Sequence, residues 1–188
     1  MFDSQADIAA VVYGPDDDPD RLLRAFADDL QRSGRRVVGL LQASRIGGMA
    51  QARLPAVAFP TRATVSLRHE YQPAPVGCHL DAAQLAETRR SVAAAIDEGA
   101  DLVIINRFGK LEAAGAGFVE EIKRAVTADI PVLLAVPHHR FMMWTRFCAG
   151  MAVKLACARE PIDAWWRTVA PRPSGHSSRT AATFCEMK

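Results

Sequence analysis

The sequence has no long apolar run. Its longest ones, Ile8–Tyr13, Leu102–Ile105 and Val132–Val136, fall far short of the ~20 residues a membrane-spanning helix needs. No membrane partner is therefore expected. The opening MFDSQADIAA carries two acids and no basic segment. It does not read as a secretory signal, so a cytoplasmic location is expected. Charge of one sign is also missing. Lys and Arg number 23, Asp and Glu 21, for a net charge of +2. That balance argues against a strongly electrostatic nucleic-acid binder. Cysteine is scarce: Cys78, Cys148, Cys157 and Cys185, with no pair at C-x-x-C spacing. A thioredoxin-like motif, a zinc knuckle and a disulfide framework are all disfavoured, and the thiols read as reduced.

What is present is the material of one globular domain. The chain has 188 residues, 49% hydrophobic and 23% charged. At that size a chain buries roughly 70% of its unfolded surface and needs no staples. Ile8–Tyr13 reads as a buried strand ended by Gly14-Pro15,. Pro19, beside acids, opens a helix to about Ser33 whose apolar face is Leu22, Leu23, Phe26 and Leu30,. Val37–Leu41 is the next strand, so the chain opens as a β-α-β unit of a parallel sheet. Residues 44–77, rich in Gly, Pro, Arg and Thr, form an excursion that could hold a β-hairpin,. Asp81 caps a helix to about Glu98, and Leu102–Asn106 is a third buried strand,. A helix follows at about Ala116–Ala128, then strand Val132–Val136, a helical stretch His139–Gly150, strand Met151–Leu155 and helix Pro161–Val169. The expected architecture is an α/β three-layer sandwich with a mainly parallel sheet. It forms a single domain over residues 1–169, followed by a flexible tail over 170–188 that is polar and proline-rich,.

In such sheets ligands sit outside the carboxyl ends of the strands. At the first of these ends a phosphate loop would need G-x-x-x-x-G-K-[ST]. The chain offers YGPDDDPDRLL, with one glycine, no lysine and three consecutive acids, Asp16, Asp17 and Asp18. These carboxylates read as an acidic helix cap that repels phosphate. Capture of a divalent cation by them is the weaker alternative, and no metal centre is assigned.

The strand end Asn106, Arg107, with Gly109, Lys110 and Glu112 after it, is the second candidate. An acid that holds a metal often stands there in phosphate-processing enzymes. Asn106 is a neutral amide, while Arg107 and Lys110 make the turn cationic. Arginine suits bidentate recognition of oxyanions and carboxylates. A plain salt bridge to the acids after the first strand competes with that reading. Cys78-His79-x-Asp81 is a third feature. Neighbouring residues in extended chain face opposite ways, so Cys78 and His79 do not readily share a metal. Beside a helix N-terminus the Cys78 thiol would become more reactive. His138-His139-Arg140 ends the fourth strand, where a surface position explains it equally well. Arg45, Arg53, Arg62 and Arg68 make the excursion locally basic, either as solvated side chains or as the closing edge of an anion site. Trp144, Phe147, Cys148 and Met151 are spaced as a helix stripe. It reads as core, with a dimer face as the alternative that leaves a homodimer open.

NRFGKLEAAGAGF (Asn106–Phe118) and CHLD (Cys78–Asp81), within the span from about Ile8 to Arg167, resemble an uncharacterised bacterial family, a domain of unknown function often encoded beside molybdate-uptake genes. That family in turn resembles a degenerate P-loop nucleoside-triphosphatase. In that class the equivalent strand ends in an acidic D-E-x-G-x-x-E pattern. Here Gly109 and Glu112 match, whereas Asn106 and Arg107 replace two acids. The resemblance implies a P-loop-like fold and a role in molybdenum homeostasis. Together with the arginines it implies a non-hydrolytic binding protein for a small oxyanion, molybdate or tungstate. Arg107 and Lys110 would supply charge and Asn106 a neutral donor, with Cys78, His79 and Arg45 closing the site. A divergent nucleotide-binding protein or nucleoside-triphosphatase, and a ligand-free regulatory partner protein, are the alternative readings.

Overall fold

The computed structural model describes residues 7–42, 53–60, 63–68 and 82–171. Seven strands, β1 (Ile8–Tyr13), β2 (Val37–Gln42), β3 (Arg53–Phe59), β4 (Ala63–Arg68), β5 (Leu102–Asn106), β6 (Val132–Pro137) and β7 (Ala152–Ala156), form one sheet. Their order is β4-β3-β2-β5-β6-β1-β7. The five strands from β2 to β7 in that order are parallel. The hairpin β3–β4 adds antiparallel to the outer side of β2. The excursion of residues 44–77 thus contains the anticipated hairpin.

The helices are α1 (Pro19–Arg32), α2 (Ala82–Asp97), α3 (Lys110–Ala113), α4 (Val119–Thr127), α5 (Phe141–Phe147) and α6 (Arg159–Val169). Side chains alternate across each strand and sort into two cores. Ala9, Val11, Leu102, Ile104, Leu133 and Ala135 pack with Leu23 and Phe26 of α1 and Ile162, Trp165 and Trp166 of α6. Ala10, Val103, Ile105 and Leu134 pack with Val92, Ile96, Ile122 and Trp144 of α2, α4 and α5. This is the expected three-layer sandwich. Burial of both faces explains why the central strands read as unbroken apolar runs. Gly39 is required by the sheet itself. It lies opposite Ile104 with φ +143, and a Cβ there would fall 1.8 Å from the Ile104 carbonyl oxygen.

Three boundaries differ from the sequence expectation. The helix expected over Ala116–Ala128 is α4 alone, starting at Val119, and a separate short helix that was not expected, α3, precedes it, with glycines between the two at positive φ. The stretch expected to be helical over His139–Gly150 starts as a 3-10 turn, His138–Arg140, and α5 ends at Phe147. The last strand begins at Ala152, leaving Met151 66% exposed. Of the expected stripe, Trp144 and Cys148 are core. Trp144 meets Phe108 edge-on at 5.3 Å and stacks on Phe147 at 5.7 Å. Residues 172–188, most of the expected tail, lie outside the described residues. Among the described residues no helix is long and apolar enough to cross a membrane.

The connections fix where a ligand can sit. After β1 the chain crosses to the α1 face, and after its neighbour β6 it crosses to the α5 face. Adjacent strands that send their chains to opposite faces open a crevice at their carboxyl ends.

Candidate functional site

Tyr13 ends β1 and Asn106 ends β5. Both continue the set of strand residues that faces α1, because they stand two residues beyond Val11 and Ile104,. Asn106 lies opposite Ala135 of the intervening β6, and Tyr13 lies opposite Pro137. The first turn of α1 brings Asp20 over these ends, 7% exposed. The Asn106 amide Nδ2 donates to Asp20 Oδ1. Arg107 Nη2 reaches the same carboxylate at 3.4 and 3.3 Å. The Arg107 guanidinium also lies over the Tyr13 ring, 5.7 Å from its centroid, within cation–π range. The amide expected to donate to a ligand therefore donates to Asp20 instead, because a buried carboxylate must be hydrogen-bonded.

Three polar atoms in this cluster are buried without a hydrogen-bond partner among the described residues: Tyr13 Oη, Asn106 Oδ1 and Arg107 Nε. A fourth, Arg36 Nε, lies at the opposite end of the sheet, just before β2. Such orphans are rare in folded proteins, and each calls for a partner. The Tyr13 hydroxyl has its pKa raised, first by burial and further by Asp20, against the charges of Arg107 and Arg140 and a loose hydrogen bond donated by Arg107. That bond leaves the Tyr13 O–H itself without an acceptor. It remains a phenol, able to donate, across the neutral range.

The turn between β1 and α1 closes on itself. The Gly14 amide donates to Asp17 Oδ2 at 2.7 Å, and the Arg21 amide donates to the N-cap Asp18 Oδ1 at 2.9 Å. Amides that a phosphate could engage are thus met by the chain's own carboxylates, and the acids act as a helix cap. Cys157, just after β7, feels the same acids. Burial, then Asp17 and Asp18, push its thiol up to about 11. Among the described residues no group of three His, Cys, Asp or Glu side chains could hold a metal ion.

Glu112 organises the loop beyond β5. Its carboxylate accepts from the Gly109 amide at 2.8 Å and from the Phe118 amide at 3.2 Å, and it is 6% exposed. Gly109 and Gly117 leave it room: a Cβ at Gly109 would lie 2.9 Å from Oε2, and one at Gly117 2.0 Å from Oε1. Both Glu112 oxygens are thereby committed to holding the loop, although Glu112 and Gly109 were expected at a ligand. Lys110 is exposed at the start of α3. Arg140 Nη1 lies 3.8 Å from the place a Cβ would take on Gly109.

The structure thus brings Asn106 and Arg107 together with Asp20 and Tyr13. Arg45, Cys78 and His79 lie outside the described residues. Sequence reasoning assigned Tyr13, Asp20 and Arg140 no role at a ligand. Tyr13 reads as the last residue of a strand and Asp20 as one more helix-start acid. Only the tertiary approach of α1 to β5 marks them out.

A family profile matches residues 8–165 and is described as "Protein of unknown function (DUF2478)". The chain belongs to this family. The DUF2478 chain is also 41% identical, over 166 residues, to the molybdenum import ATP-binding protein ModC 2 of Bradyrhizobium diazoefficiens. The match covers 88% of the chain but only 18% of that relative's length. Among solved structures it resembles the solution structure of a human cancer-related nucleoside triphosphatase. The TM-score is 0.57 at 14% identity, covering 79% of this chain and 87% of the other. The DUF2478 chain accordingly has a P-loop-like α/β fold.

Proposed function

We propose that this chain is a non-hydrolytic binding protein for a small tetrahedral oxyanion, molybdate or tungstate first, in molybdenum homeostasis. One observation supports the reading: at the strand ends the Tyr13 O–H and the Arg107 Nε–H are buried donors that meet no acceptor among the described residues. Oxyanion oxygens are the acceptors such donors lack. Arg107, whose side chain is 37% exposed, is the group a ligand meets first. Arg140 adds positive charge nearby. The relative named for molybdenum import supports molybdate over other oxyanions.

A nucleotide-binding protein is the second reading. The P-loop-like fold and the ATP-binding name of the relative favour it. Against it stands the β1–α1 turn, whose Gly14 amide is taken by Asp17 and whose helix is capped by Asp18. Asn106 bonded to Asp20 also replaces the acid that would ligate magnesium in that class,.

Thermal unfolding against molybdate, tungstate, sulfate, phosphate, and ATP or GTP with magnesium separates the two. A ligand at 100 times its Kd adds about 2.7 kcal/mol, and a domain of this size then melts roughly 5–10 °C higher. A rise with molybdate or tungstate, lost in Arg107→Ala, is the expected result. A rise with nucleotide alone would replace the first reading by the second. No rise with any of them would refute both.

A further inference from the structure

The same crevice holds a group that a bare oxyanion cannot satisfy. Asn106 Oδ1 is an acceptor, buried and unpartnered, on a residue 5% exposed. Its orientation is fixed, because the other end of the amide donates to the Asp20 carboxylate, which can only accept,. A fully ionised tetrahedral anion brings acceptors alone. It would match the donors Tyr13 Oη and Arg107 Nε but offer Asn106 Oδ1 no donor. A ligand that satisfies all three atoms must carry one O–H donor besides its anionic oxygens.

We infer that the site takes its oxyanion in the singly protonated form, with the ligand hydroxyl donating to Asn106 Oδ1 while Tyr13 and Arg107 donate to the other oxygens. This deepens the reading of the previous subsection and rests on it. It also supplies a basis for selectivity. Sulfate, the conjugate of a strong acid, stays fully ionised near neutral pH and cannot provide the donor. Molybdate and tungstate are more basic and can take up a proton on binding, while phosphate already carries one. A site built to bond a ligand hydroxyl rejects an analogue lacking it by large factors, because the buried acceptor is left bare.

Among the described residues the charged and titratable groups around the crevice are Tyr13 from β1, Asp20 from α1, Arg107 after β5 and Arg140 after β6. The exposed His138 and His139 precede Arg140 in the chain. His138→Gln with His139→Gln serves as the control background.

The test is calorimetric titration of the full chain with molybdate and with sulfate. Two buffers of different ionisation heat count protons, between about pH 6.5 and 8.5 where free molybdate is a dianion. The expected result is one proton taken up per molybdate and about tenfold tighter binding per unit fall in pH, the same in the double-Gln background. Sulfate should bind at least about 100-fold more weakly, and Asn106→Leu should erase both the proton uptake and the preference over sulfate. Molybdate binding without proton uptake overturns the inference while leaving oxyanion binding intact. Sulfate binding comparably with its own proton uptake overturns it too, since a group of the protein and not the ligand would then hold the proton. If neither anion binds at any pH, the proposed function fails and this inference falls with it.

Discussion

Glu112 and Gly117 compete for one volume: a Cβ on residue 117 would stand 2.0 Å from Glu112 Oε1. That oxygen accepts the Phe118 amide, so the glycine exists to admit the carboxylate. Gly117 also holds φ +61, which side-chain-bearing residues avoid,. Gly117→Ala should therefore cost about 2–4 kcal/mol, the sum of backbone strain and a disrupted buried hydrogen bond. Glu112→Ala should cost a similar amount by leaving two amides unpaired. Urea denaturation measures both, and a loss below about 0.5 kcal/mol for either would contradict this account of the loop.

Arg107 is expected to matter for ligand more than for fold. Its bonds to Asp20 are long, 3.3 and 3.4 Å, and its side chain is 37% exposed. Arg107→Ala should shift the urea midpoint little. Removing a charged donor should weaken oxyanion binding about 10- to 100-fold. Equilibrium dialysis with molybdate checks it, with Arg107→Lys recovering only part because a lysine lacks the bidentate fork.

Tyr13→Phe separates structural from ligand-directed roles. The Tyr13 hydroxyl is buried without a partner, so deleting it removes a desolvation cost,. The variant should be as stable as the parent or up to about 1 kcal/mol more stable. It should nevertheless bind oxyanion more weakly. A drop in stability would mean that the hydroxyl is bonded in the free protein.

Cys157 should be a slow thiol. Its pKa is pushed up to about 11, first by burial and then by Asp17 and Asp18. At pH 8 only about one thiol in a thousand is then thiolate, against roughly a quarter for an unperturbed cysteine. Alkylation of the folded protein at pH 8 should leave Cys157 largely unlabelled by mass spectrometry. Reaction should quicken as pH rises toward 11. Asp17→Asn with Asp18→Asn should speed labelling modestly, because burial, the larger cause, remains.

Much of the scaffold was legible in sequence. Buried strands announce themselves as short β-branched apolar runs, and helix starts as Pro19 with Asp18, because these preferences are local. The short helix α3 and the later start of α4 were not legible. Local pattern placed a helix start at Ala116, whereas the loop that delays α4 is held by a carboxylate binding amides three and six residues away.

By itself, the sequence determined the layer order of the sandwich, the placement of candidate chemistry at strand ends and the lack of a lysine-bearing phosphate loop. These follow from spacing and residue type along the chain. Only the tertiary structure decided what the side chains there do. Asp20 and Asn106 are 86 residues apart, and nothing local links them. Their contact turns the Asn106 amide toward Asp20, Arg107 lies over Tyr13, and two donors and one acceptor are left buried without partners among the described residues. Hydrogen-bond saturation is a property of three-dimensional neighbours, so the balance of donors and acceptors that a ligand must meet exists only in the folded chain.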